Sequence, residues 1–498
     1  MKNSARPLSR RDFLGVSGGA AASLALLGPA RALAGAGDGP FGDLVPDPGG
    51  LLDLPHGFQY RVLSPEGAPT MRNRATSGIP VPGNHDGMAA FAGPRNTTVL
   101  VRNHELSTSG SKPKVIGTNA YTAAPAGGTT AVVVGPNRKE LDSYVTNAGT
   151  WVNCAGGGTP WGTWVTCEET RTTAHGYCFE VMPDDPENNL SKTPIVDMGF
   201  FSHEAIDVDP RTGIVYLTED DFRGSIPANP NDEIDGNPAF RSSFLYRFLP
   251  NNRSQRPGAL LAGGTLQALA IDSAPRNADL YTPGQTFVVR WITVNALEPH
   301  DDALAKGAVR FNRLEGCHFA GGAYWFDDTA GGEARRGQVF RLIPGPEGVA
   351  GADTLELFSE SMSANDLDNP DNVIVTPWGD VWLAEDGGGE NRIVGITPEG
   401  RTYVFARNAH PDMNEFAGPT FAPDGNTFFV NVQDPGTTFA IWGPFARQNR
   451  ARQRLMAYAD PPAHYAPRLS GEQTEAAERY GLTRLQAAAY DRLGIPLV

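Results

Sequence analysis

Five stretches of the chain repeat one pattern: a glycine, then an aromatic and β-branched run, then a carboxylate or amide. Gly162 leads through Trp164-Val165-Thr166-Cys167 to Glu168; Gly213 leads to Glu219, Gly322 to Asp328, Gly379 to Glu385 and Gly425 to Asn431. A sixth copy, Val99-Leu100-Val101-Arg102-Asn103, lacks the glycine. Each copy follows a polar cluster: His85-Asp86, Asn153, His203-Glu204, Glu315, Asp371-Asn372 or Glu415. Acids gathered from so many segments repel one another unless something compensates. Bound cations would do so, and a hard ion such as calcium takes about six to eight oxygens, which carboxylates and amides from several segments can supply. Cys167 is the odd member, because the equivalent position elsewhere is Arg102, Thr218, Asp327, Ala384 or Val430. A thiolate among carboxylates suits a transition metal such as iron. Neighbours in a regular strand point to opposite faces, so Cys167 and Glu168 share a site only where the strand ends or bulges. The alternative is a solvated rim, or acids paired with arginines such as Arg102 and Arg313.

The elements that must position these groups are hairpins. Between each polar cluster and its strand stands a turn such as Asp209-Pro210-Arg211-Thr212-Gly213 or Pro423-Asp424-Gly425, whose residue types supply tight-turn backbone angles. In an antiparallel hairpin the start of the first strand and the end of the second lie together. All the polar positions would therefore collect on one face of a radial array. Most strand-end spacings fit propeller blades of about 40–50 residues with loop insertions. The long step from 219 to 328 holds either an insertion or an unrecognised seventh blade, with outer strands expected at Phe244–Phe248 and Phe287–Trp291. The expectation is an all-β, six-bladed β-propeller over residues 35–446, with a small C-terminal helical appendage over 447–498. Leu482, Leu485 and Leu493 carry the helical spacing there.

Composition agrees with many turns and short strands: Gly 58 and Pro 41 in 498 residues. The net charge of −15 argues against a nucleic-acid surface. Beyond the N-terminus no apolar run approaches the ~20 residues of a membrane span. Ser9-Arg10-Arg11-Asp12-Phe13-Leu14, an Ala/Gly-rich stretch and Ala32-Leu33-Ala34 have the layout of a twin-arginine signal over 1–34. That implies the twin-arginine export machinery as a partner and a periplasmic or secreted location. Cys154, Cys167, Cys178 and Cys317 form no CxxC pair, so a structural zinc site is not expected, and disulfide pairing is not readable from their spacing.

Asn103-His104-Glu105, Thr159–Glu169, Phe201-Ser202-His203-Glu204-Ala205, Thr218–Asp221, Asn369-Pro370-Asp371-Asn372, Thr376–Gly387, Phe405–Asn408 and Ala422–Pro444 form a set of longer motifs. Together they resemble those of the PhoX-type alkaline phosphatases. The resemblance spans most of the chain and is to a shorter member of the family. It implies a twin-arginine-exported six-bladed propeller that hydrolyses phosphate monoesters with an iron–calcium cluster at one mouth. By the same resemblance Cys167 would be the thiolate ligand of iron, with Glu168, Glu204, Glu219, Glu315 and Glu385 as metal ligands. Glu105 and Asp386 are further candidates. Arg313-Leu314-Glu315 matches the family's Arg-x-Glu pair, which contacts phosphate and metal. Arg313, Cys167 and Glu315 are thus the expected catalytic residues, and Arg313 and Asn153 the expected substrate contacts. Arg313 suits phosphoryl oxygens because its planar fork can donate two parallel hydrogen bonds. A monomer is the favoured state. Two other readings stand: a calcium-dependent lactonase-type hydrolase, and a non-enzymatic propeller stabilised by calcium.

Overall fold

The computed structural model describes residues 39–445 apart from 70–77, 186–187, 222, 225–240, 350 and 413. The expected signal segment and the expected C-terminal helices lie outside the described residues.

Six antiparallel sheets surround one axis, as the six hairpins require, and the chain is a six-bladed β-propeller. The inner strands of blades one to six are His85–Ala92, Asn153–Gly158, His203–Val208, Leu314–Ala320, Pro370–Val375 and Phe416–Phe421. Each touches the next, and the last touches the first. The repeat strands lie second in each blade: Thr98–His104, Trp164–Glu168, Val215–Glu219, Ala323–Asp328, Val381–Glu385 and Phe428–Val432.

Among the described residues the long step holds no seventh blade. Leu245–Pro250 and Gly264–Ala270 are outer strands of blade three. The run expected as one strand from Phe287 to Trp291 divides at Val289. Thr286–Val288 joins the outer edge of blade four, and Arg290–Thr293 returns to blade three. The ring closes with a strand from the other end of the chain, since Gln59–Leu63 pairs with Thr437–Trp442 of blade six.

Two backbone devices recur. The hairpin-tip glycines Gly162, Gly213, Gly322, Gly379 and Gly425 all have φ between 68° and 96°, the left-handed region that a side chain resists. Blade one makes its turn with Arg95 and Asn96, also at positive φ. The second device is a bulge at the same place in every blade. Asp86-Gly87, Cys154-Ala155, Glu204-Ala205, Glu315-Gly316, Asp371-Asn372 and Gly418-Pro419 each face a single residue of the second strand. In blade one the pair before the bulge is His85 with His104, so His104, not Asn103, matches Glu168 and Glu219.

Glycine also lets the inner strands approach. A methyl group on Gly157 would collide with the Ile206 carbonyl, and one on Gly316 with the Asn372 backbone. Gly87 meets Ala155, and Gly418 meets Asp86, in the same way. Apolar faces then pack between blades: Ile206, Leu217 and Phe248 in one cluster, Trp382, Phe405, Phe428 and Phe439 in another.

Candidate metal centre

Strand alternation sorts the acids at one end of the propeller into two sets. The strand-end carboxylates turn into their own blades and bind loop backbone there. Glu168 accepts the Trp151, Gly176 and Tyr177 N–H groups, and its Oε1 is 2.6 Å from His175 Nδ1. Glu219 accepts the Phe244 N–H and the Tyr246 hydroxyl, and lies 2.9 Å from His300 Nδ1. Asp328 accepts the Asn312 N–H. Glu385 accepts the Asp368 N–H and two bonds from Arg392.

The residue after each strand end faces the other way. Glu105, Glu169, Asp220, Thr329, Asp386 and Gln433 each donate their N–H to the carbonyl preceding the inner strand, at Asn84, Val152, Ser202, Arg313, Asn369 and Glu415. Four of those acceptor residues, Asn84, Val152, Arg313 and Asn369, have φ between 44° and 73°. For valine and arginine that conformation is strained, of order 1–3 kcal/mol, and such strain gathers at functional sites.

The bulge residues join this second set at the mouth. Cys154 Sγ, Glu169 and Glu204 place ligand atoms within 4.8 Å of one another, and so do Glu204, Glu315 and Asp371. Glu204 belongs to both groups. On the far side Gln433 Nε2 bridges Asp86 and Glu105, 3.2 and 2.7 Å away. Arg313 reaches into the same space. Its Nε and Nη2 fork onto Asp220, and Nη2 also donates to Glu315 Oε1 at 2.6 Å.

Burial and like charge push these carboxyls toward the neutral form. Glu204 is raised well above the usual range by burial, then by Glu169 and Asp371. Glu315 is raised by burial and Asp220 against the pull of Arg313. Burial and Asp386 raise both Asp371 and Glu105, the latter to about 7. Burial raises Glu415 to about 11, with its hydrogen bond to Asp386 adding to it. The Cys154 thiol is pushed up by burial and then by Glu204 and Glu169. Asp327, opposite the Glu315 bulge, is wholly buried, and both its carboxylate oxygens lack a hydrogen-bond partner in the protein. Multivalent cations remove this conflict, so the residues present fit a metal cluster. The donors are chemically divided: one set offers sulfur with oxygen, the other oxygen alone.

The arrangement brings together Glu204, Glu315 and Arg313 of the residues expected from sequence, with Glu105 and Asp386 at the same mouth. Glu168, Glu219 and Glu385 stand in the blades instead, one residue short of the inward face. Asn153 is buried and bonded within its blade through Thr166, and to the end of the outermost strand of blade one through Thr150. Cys167, expected as the thiolate ligand, points between blades two and three, where its Sγ lies 3.6 Å from Cys178 Sγ. The thiol at the mouth is that of Cys154. Sequence reasoning passed over Cys154, Glu169 and Asp220 as site residues. The doublets Glu168-Glu169, Glu219-Asp220 and Glu385-Asp386 carried the signal: in each, alternation sends the first acid inward to the blade and the second to the mouth.

Fold and site together define a six-bladed propeller with an acidic, thiol-containing centre at one mouth. The family described as Alkaline phosphatase PhoX matches residues 39–436, and the chain belongs to that family. Comparison with curated proteins found no match. Among solved structures, a gluconolactonase from Xanthomonas campestris aligns with 13% identity and a TM-score of 0.40, covering 82% of this chain and 99% of its own. A streptogramin B lyase aligns with 9% identity and a TM-score of 0.34, covering 77% and 97%. Among the described residues no helix is long and apolar enough to cross a membrane.

Proposed function

We propose that this protein is an exported hydrolase of phosphate monoesters whose cluster contains iron and calcium. The observation that carries this reading is the pair of donor sets sharing Glu204 beside Arg313. The set of Cys154, Glu169 and Glu204 suits iron, and that of Glu204, Glu315 and Asp371 suits calcium. The thiolate role expected for Cys167 therefore passes to Cys154. When bound, the cations supply Lewis-acid polarisation of the phosphoryl group and activate the attacking oxygen.

The chain's own residues do the rest. Burial of the acids in a shared ring ties them to the cations. Asp220 and Glu315 hold the Arg313 guanidinium at the mouth, and 29% of that side chain stays exposed to meet substrate. Its remaining N–H groups bind phosphoryl oxygens and strengthen as charge develops during transfer. A phosphate dianion approaches so acidic a chain only where local cations reverse the field. Export by the twin-arginine route fits a protein that gains metal while folding.

The test is hydrolysis of p-nitrophenyl phosphate by the purified protein with calcium, together with elemental analysis. Turnover with both iron and calcium bound supports the reading. Calcium alone without phosphatase turnover would favour the lactonase-type or binding alternatives.

A further inference from the structure

Cys167 and Cys178 stand directly opposite each other on the neighbouring strands Trp164–Glu168 and Cys178–Val181 of blade two. The Glu168 N–H donates to the Tyr177 carbonyl, one residue beyond each cysteine. That makes the cysteines a non-hydrogen-bonded pair, the kind in which Cα atoms approach to about 4.5 Å and side chains are closest. A disulfide spans Cα separations of about 4.4–6.8 Å. Both thiols have no exposed surface and pack among Val165, Phe201 and Ile206. His203 directs the pair further. Its Nε2 donates to the Gly199 carbonyl at 3.0 Å, which leaves Nδ1 to accept the Cys178 S–H at 3.3 Å.

We propose that Cys167 and Cys178 are a buried redox site that closes to a disulfide when a peroxide reaches it. The sulfur–sulfur bond forms as the O–O bond breaks, and each thiol hydrogen leaves in water. Two thiols and one hydrogen peroxide give one disulfide and two waters, the first sulfur passing through a sulfenic acid that the second resolves. The oxidant must be small, because neither sulfur is open to a protein partner once blades two and three are packed. The pair is separate from Cys154, whose Sγ faces the His203 carbonyl at 3.2 Å. Oxidation is nonetheless felt at the ring: the Cys178 bond to His203 is lost one residue from Glu204.

The experiment uses the full-length, metal-loaded protein treated with hydrogen peroxide, then denatured in chelator, alkylated and digested without reduction. The expected result is a peptide pair joined through Cys167 and Cys178, absent from a Cys178→Ser variant in which Cys167 is alkylated. Alkylation of both cysteines in the treated wild type would overturn the proposal. So would their recovery as sulfinic acids, or a link from Cys167 to Cys154. The wild-type map decides even where the variant folds poorly, and its mass readout is independent of any phosphatase activity.

Discussion

Arg313 Nη2 lies 2.7 Å from Asp220 Oδ2 and 2.6 Å from Glu315 Oε1, so one guanidinium ties blade three to blade four at the mouth. Glu315 is also the largest cause of the upward shift at Arg313. Both acids orient the fork, and its side chain remains partly open.

If that fork grips the phosphoryl group, Arg313→Ala should lower kcat/KM on a good monoester by roughly 10²- to 10³-fold, the scale of one transition-state donor. Arg313→Lys keeps the charge but loses the planar geometry, and should stay impaired. Asp220→Asn should fall between wild type and Arg313→Ala, with iron and calcium content unchanged in all three. Near-normal kcat/KM for Arg313→Ala would show that the arginine only pairs acids.

Cys154 and Cys167, both in blade two, separate cleanly. Cys154→Ala removes the sulfur from the set of Glu169 and Glu204, and should lose iron and most turnover while the melting curve stays cooperative. Cys167→Ala, which opens a small hole between blades two and three, should keep its iron. Elemental analysis of the two variants decides, and loss of iron only from Cys167→Ala would reverse the assignment.

The fold was legible because five of the six hairpins wrote the same register, glycine at the tip and polar residues at the open end, and the sixth kept the polar residues. Placing individual side chains needed one more fact, the bulge. Glu168 and Glu169 differ only in which face alternation gives them, and the extra residue at Cys154-Ala155 shifts that phase on the inner strand. The strand-end carboxylates read as metal ligands because they recur. In four blades they also anchor loops, as Glu168 does for Trp151 and Gly176. The division of 286–293 between two blades left no mark in hydropathy, since both pieces are short strands of exposed and half-buried side chains.

The waist of the propeller depends on missing side chains. Gly157→Ala would drive a methyl into the Ile206 carbonyl of blade three, whereas Gly158→Ala meets nothing nearer than the Ala89 methyl at 3.5 Å. Overpacking of this kind typically costs about 1–3 kcal/mol. Urea unfolding should show Gly157→Ala destabilised by at least that amount and Gly158→Ala nearly unchanged. Equal stability of the two variants would mean that the inner strands shift apart freely.

A last prediction concerns Asp207, on the inner strand of blade three and away from the metal ring. Burial raises its carboxyl to about 7, although Oδ1 and Oδ2 accept the Val208 and Phe319 N–H groups. In the unfolded chain the same group titrates near 4. The folded state therefore binds this proton more tightly, so its contribution to stability is full below about pH 4 and falls as pH rises. It is lost once the pH passes about 7. The span between those two pH values corresponds to roughly 4 kcal/mol, at about 1.4 kcal/mol for each tenfold change in proton affinity. Asp207→Asn cannot titrate, so it lacks this slope. Its amide keeps one acceptor and sets an N–H against a backbone N–H, a fixed cost of about 1–3 kcal/mol. The variant should thus be the less stable chain at pH 5, and the gap should close or reverse by pH 8. Urea unfolding of both metal-loaded proteins across that range measures the difference, from which the titration of the shared metal ligands cancels. Parallel curves, with a constant gap from pH 5 to 8, would show that Asp207 is ionised throughout and that its two backbone bonds outweigh its burial.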